Sequence, residues 1–145
     1  LYLSSLYFVK RKHFLEFAAE GAFKVSEALK SEGAFVFYHA GESSLQYLEL
    51  MAELGPSALS IGGRIDIKTA KETVGKKVCL LGNMHGIDIL QLGSWEDVER
   101  ETIRIIETGK KNGGYIFNSE EGIPRETPEK NMRIMLETAK KHRLY

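Results

Sequence analysis

The sequence predicts an α/β fold made of four βα units behind a leading helix. Three observations carry this. Segments with apolar residues at helical spacing alternate with short, wholly apolar runs. Each apolar run stops at Gly or at a polar cluster. The runs are apolar on both faces, as parallel strands covered by helices are. An open doubly wound sheet and a (β/α)8 barrel both fit this alternation. Length narrows the second: a whole barrel takes about 250 residues, so 145 residues supply about half of one.

The first helix is expected from about Tyr7 to Ser31, with Phe14, Phe17, Ala18, Val25, Ala28 and Leu29 inward and Gly33 as its stop. Ala34 to His39 then reads as a buried strand, broken by Gly41. Ser43 or Ser44 can cap a helix carrying Leu45, Leu48 and Ala52, which ends at Gly55-Pro56. Ala58 to Ile61 is the second strand, closed by Gly62-Gly63. Asp66 is the expected N-cap of a helix from Ile67 to Val74.

Val78 to Leu81 is the third strand, closed by Gly82-Asn83, with a helical turn expected over Gly86 to Leu90. Ser94 and Asp97 have capping-box spacing, and Val98, Thr102, Ile105 and Ile106 form the buried stripe that follows. Tyr115 to Asn118 is the fourth strand. Thr127-Pro128-Glu129 opens the last helix through an N-cap hydroxyl, a first-turn Pro and an acid at the positive end. Met132, Met135, Leu136 and Ala139 face inward there, and Lys140 to Arg143 close it.

Composition excludes several classes. Lys+Arg and Asp+Glu both number 20, so the basic excess of a nucleic-acid binder is missing. No apolar run reaches the ~18–20 residues that span a bilayer. One cysteine excludes an internal disulfide and thiol-rich zinc motifs. A reducing cytoplasm is therefore expected. The first residue is not Met and no signal-peptide pattern follows it, so a longer polypeptide is expected.

In parallel α/β folds the chemistry sits at the C-terminal ends of the strands. That rule selects His39 to Ser43, then Gly62 to Arg64, then Asn83 to His85, then Asn118 to Gly122. Each has two readings. His39 is a half-buried histidine bonded to a loop, or a ligand or catalytic group. His85 is a solvated loop residue or a proton carrier. Arg64 pairs with Asp66 or meets a substrate anion. Glu120 and Glu121 are solvated acids, or they bind a metal or take protons. Cys79 and Trp95 are packing residues, and His13 and His142 are inert surface histidines. No HExxH, CxxC, GxSxG or P-loop is present.

The run Gly82-Asn83-Met84-His85-Gly86, then Leu90-Gln91-Leu92-Gly93-Ser94 with Glu96, Val98 and Glu99, resembles a motif of the uroporphyrinogen decarboxylase superfamily. So do Phe35 to Gly41, and Gly113 to Asn118 followed by Gly122-Ile123-Pro124, Thr127-Pro128 and Asn131. The match runs in order over nearly the whole chain and covers the C-terminal half of the usual (β/α)8 domain. It implies a single partial domain, residues 1–145, completed by an N-terminal half or by a self-associating copy.

The resemblance implies one of three functions. The first is uroporphyrinogen decarboxylase, a carboxy-lyase of porphyrin biosynthesis that removes acetate carboxyl groups from a tetrapyrrole without a cofactor. On that reading His39 and His85 deliver protons, while Arg64, Asn83 and Asn118 bind a tetrapyrrole or another small molecule. The second is a corrinoid-dependent methyltransferase, in which a zinc-bound thiolate takes a methyl group from a corrinoid protein. His39 and Glu121 would then hold zinc, with Glu42 or Glu120 as third ligand. The third is a non-catalytic half-barrel binding module. The sequence departs from both enzyme patterns: His39-Ala40-Gly41 stands for His-x-Cys-Gly, Glu121 for a closing Cys or His, and His85-Gly86 for Asp-Pro. Missing thiol ligands put decarboxylase first, with no nucleic acid and no membrane as partners.

Overall fold

The computed structural model describes residues 10–42 and 44–144. Helix α1 (Arg11–Phe14) continues through a π-helical stretch, Leu15–Ala19, into α2 (Glu20–Ser31). Tyr7 to Val9, expected in this helix, lie outside the described residues. The buried face is Phe14, Ala19, Ala22 and Ser26. Phe17, Val25 and Leu29, expected inward, are exposed, Phe17 by 77%. The π-helical stretch explains the rotation. Its i to i+5 bonding places Ala19, five residues on, beneath Phe14 and turns Phe17 outward.

Strand β1 is Phe37–Glu42, displaced from the expected Ala34 to His39. Val36 donates its N–H to the Ser57 hydroxyl at 3.0 Å, a side-chain bond in place of a ladder bond. Helix α3 (Leu45–Glu53) has Ser44 at its N-cap position, and Ser43 lies outside the described residues. Strand β2 (Ala58–Ile61) and helix α4 (Ile67–Val74) keep the expected bounds, and Asp66 caps α4 by accepting from Thr69 N at 3.1 Å.

Strand β3 is Cys79–Met84. It runs through Gly82-Asn83, where a break was expected, because β4 (Tyr115–Ser119) keeps pairing there: Gly82 lies opposite Phe117, and Asn83 opposite Asn118. Gly82 has φ +142°, and a Cβ on it would stand 2.9 Å from Ile61 O, so both backbone and packing call for glycine. A π-helical turn, Gly86–Gln91, follows β3. The Ser94–Asp97 capping box starts α5 (Trp95–Gly109). Helix α6 (Glu129–His142) has Pro128 at its N-cap. The expected cap, Thr127, holds a buried hydroxyl without a partner among the described residues. Extended Pro128 (ψ 131°) makes the turn into the helix one residue later.

The four strands are parallel and lie in the order β1-β2-β3-β4. A doubly wound sheet reverses its strand order at a switch point. Here each strand is added beside the last, as in a barrel built stave by stave, and the chain forms the C-terminal half of a TIM-type (β/α)8 fold. Two rows of side chains cross the sheet. Tyr38, Leu59, Leu80 and Tyr115 are in register, buried, and face the helices; the Tyr38 hydroxyl donates to Ala22 O in α2 at 2.8 Å. The alternate row, Ser60, Leu81 and Ile116, faces the barrel interior, and Ile116 is 41% exposed. The core lies between the first row and the helices, with Leu48, Met51, Ile67, Val74, Val98 and Ile105 packed on it.

Candidate functional site at the strand ends

His39 belongs to the interior row and is the third of the six residues of β1. Its Nδ1 lies 3.0 Å from the Oγ of buried Ser60 on β2. Its Nε2 lies 3.2 Å from Glu121 Oε2, just beyond β4. On a flat sheet β1 and β4 would be about 14 Å apart, three strand spacings of roughly 4.8 Å. The sheet's curvature and the bend after Ser119 close that gap. Ser119 Oγ donates to Glu121 O at 2.9 Å and shapes the bend.

A second cluster lies beside it. Glu120, only 16% exposed, accepts from Gly63 N at 2.7 Å and from Gly86 N at 3.0 Å. One carboxylate thus ties the loops after β2, β3 and β4. His85 Nδ1 accepts from Asp88 N at 3.1 Å and stands 3.3 Å from Glu120 Oε1. An acceptor Nδ1 puts the proton of neutral His85 on Nε2, which lies 3.4 Å from Asp88 Oδ2. Gly63 packs directly on this group: a Cβ there would stand 2.8 Å from His85 Cα and 2.9 Å from Glu120 Oε2.

Asn83 is buried, and its Nδ2 donates to Gly62 O at 3.0 Å and Ile65 O at 2.7 Å. It therefore fastens the loop after β2, while its Oδ1 is buried without a partner among the described residues. Asn118 is opposite it in register and exposed. Arg64 is exposed on the Gly62 to Ile65 turn. It does not pair with Asp66, whose carboxylate takes Arg104 at 3.2 Å from the neighbouring helix instead. Burial works against the charge on Asp66, but the Thr69 bonds and the Arg104 guanidinium outweigh it and hold its carboxyl below the usual range.

Zinc, which only the methyltransferase resemblance implies, takes four ligands. His39 Nε2 and Glu121 Oε2, at 3.2 Å, are the two donor atoms of that resemblance that meet. Among the described residues no three His, Cys, Asp or Glu side chains are grouped for a metal. Glu120 is already committed to two backbone N–H groups, and the side chain of Glu42 lies outside the described residues.

Other expectations change in detail. Burial raises the Cys79 thiol's pKa, against the pull of nearby Lys71, as suits a packed thiol. Trp95 carries the Lys130 ammonium 4.5 Å above its ring, a cation–π contact at a half-exposed site. His142 is tied to Glu107 at 2.9 Å, linking α6 to α5. Ser60 and Asp88 went unnoticed in the sequence. Asp88 follows His85 by three residues, a readable helical spacing; Ser60 sits in an apolar run and gave no signal.

Similar proteins fit this architecture. A uroporphyrinogen decarboxylase from Trichodesmium erythraeum is 35% identical over 109 residues, 73% of this chain and 28% of its own. The methylcobamide:CoM methyltransferase MtbA of Methanosarcina mazei is 30% identical over 120 residues, 83% of this chain and 34% of its own. The chain thus spans about a quarter to a third of these curated relatives. A solved methyltransferase from Methanosarcina mazei superposes with a TM-score of 0.80 over 97% of this chain and 40% of that one, at 20% identity, which shows the shared fold. The profile of the uroporphyrinogen decarboxylase (URO-D) family matches residues 3–142, and the chain belongs to that family.

Proposed function

We propose that the chain forms the C-terminal half of a URO-D-family enzyme that transfers a methyl group at a zinc site, with decarboxylation of a tetrapyrrole as the second reading. The observation that carries it is the 3.2 Å approach of His39 Nε2 to Glu121 Oε2. Two ligand atoms at the ~2.05 Å bonds of a tetrahedral zinc site stand about 3.3 Å apart. Ser60 engages Nδ1 and so orients the ring with Nε2 toward Glu121, the outer-shell role that ligand histidines need. A tetrahedral site would need further ligands beyond this pair, for which the sequence offers Glu42. Zinc, when bound, supplies a Lewis acid that holds a thiol substrate as its thiolate.

Charge favours this reading over decarboxylation. Carboxylates stand beside both rim histidines: Glu121 beside His39, Glu120 and Asp88 beside His85. Such a lip attracts a divalent cation and repels a substrate bearing several carboxylates. In the decarboxylase reading His39 and His85 move protons, and exposed Arg64, with Asn118, meets the substrate's acid groups. In both readings Asn83 and Glu120 hold the loops at the rim.

The partner is the N-terminal barrel half. Strands β1 and β4 are the two open edges of the sheet, and Phe17, Phe35, Ile116 and Leu136 are exposed apolar side chains. A second copy of the chain is the other occupant those edges allow.

Metal uptake by the full-length protein tests the proposal. Chelated protein should bind about one zinc per chain, and His39→Ala or Glu121→Gln should weaken that at least tenfold. No zinc uptake with or without a substrate thiol, together with anaerobic porphyrinogen binding, transfers support to decarboxylation.

A further inference from the structure

We propose that the groove between α4 and α5, on the outside of the half-barrel, binds a small molecule carrying two or more phosphate groups. The groove encloses about 830 Å³, within the range of small-ligand sites. Five cations line it, Lys68, Lys71, Lys76, Arg104 and Lys111, against two acids, Asp66 and Glu72, which leaves a net charge of five minus two, or +3. Both acids already have cations: Asp66 takes Arg104 at 3.2 Å, and Glu72 lies 3.9 Å from Lys68.

Lys71, Lys76 and Lys111 remain. Lys76 and Lys111 are exposed and make no ion pair with a described residue. Lys71 is half-buried, and its Nζ donates to the Gly113 carbonyl. Burial lowers the pKa of that ammonium, and an anion beside it would offset the shift. Cys79 beside it does not supply one, since its thiol is pushed upward by the same burial. The three ammonium groups come from a helix, the turn after it and the turn after α5. Lysine meets phosphate as a compact point charge, and several converging lysines suit a multiply charged anion. Thr108 and Asn112 add neutral donors to the wall. The concavity between two helices suits a small molecule better than a convex protein surface.

The site is independent of the rim, so its test does not depend on the proposed methyl transfer. Titration calorimetry of the full-length protein with inorganic tripolyphosphate, and separately with ATP, should show binding that weakens as salt rises. The exposed double variant Lys76→Glu/Lys111→Glu should lose at least tenfold in affinity with the melting temperature unchanged. A control double variant, Lys140→Glu/Arg143→Glu on α6 and the residue after it, should bind as the parent does. No binding at millimolar probe, equal loss in both double variants, or equal binding of a tricarboxylate would each overturn the assignment.

Discussion

His39 and Glu121 are 82 residues apart in the chain and 3.2 Å apart in space. Neither is placed by its neighbours in sequence. The pair exists because four parallel strands curve far enough for the loop after β4 to reach the interior row of β1. Ser60, between them in the fold, holds the imidazole from below.

Removing that hydroxyl tests the orienting role. Ser60→Ala should weaken zinc binding by about tenfold, the usual effect of losing an outer-shell partner. The melting temperature should fall only slightly, because the substitution leaves a small, apolar side chain in a strand. Competition against a chromogenic chelator measures it; unchanged affinity beside a lost His39→Ala signal would sink the orienting role alone.

Glu120 is expected to be a stability residue. Its carboxylate accepts from Gly63 N and Gly86 N in a mostly buried setting. Charge-assisted bonds of this kind contribute roughly 1.5–3 kcal/mol each. Glu120→Ala should therefore cost about 3–6 kcal/mol in urea unfolding, and Glu120→Gln, which keeps an acceptor oxygen, visibly less. Equal costs for the two variants would contradict the clamp.

Two glycines should respond in opposite directions. Gly63→Ala drives a Cβ to 2.8 Å from His85 Cα, a backbone atom with little freedom, and should destabilise by about 1–3 kcal/mol. Gly21 lies inside α2 with nothing within 4 Å of a built Cβ. Gly21→Ala should stabilise by roughly 0.5–1 kcal/mol through helix propensity. Thermal melts of the two variants side by side decide it.

The Ser94–Asp97 box has a readable pH signature. The Ser94 hydroxyl, then the Arg100 guanidinium and the Ser94 backbone N–H, hold the Asp97 carboxyl down to about 2 from an ordinary 3.8. A depressed acid contributes stability that is present above its ordinary value. That contribution is lost as pH falls from about 4 through about 2. Ser94→Ala should move the Asp97 titration back toward the ordinary value and fray the start of α5. Carboxyl-carbon NMR reads the shift directly.

The open flanks should make residues 1–145 associate when expressed alone. Phe17 is 77% and Phe35 84% exposed. Sedimentation should show concentration-dependent self-association, relieved by adding the N-terminal half and reduced by Phe17→Glu/Phe35→Glu. A monodisperse monomer at micromolar concentration would count against the half-barrel pairing.

Local chemistry made much of this protein legible in its sequence. Helix α4, its Asp66 cap and the Ser94–Asp97 box are decided by residues within one turn of each other, so spacing alone reveals them. The β2 strand is bounded by its own apolar run and the glycines that end it. Features that depend on a neighbouring element were out of reach. Strand β3 runs through Gly82-Asn83 because β4 pairs with it there. The π-helical stretch turns Phe17 outward against the helical periodicity. Asn83 reads as a rim group in sequence, and its bonds to Gly62 O and Ile65 O exist only once that loop folds over it. Periodicity reports which residues a segment buries, whereas register, curvature and the meeting of strand ends arise only when the segments pack.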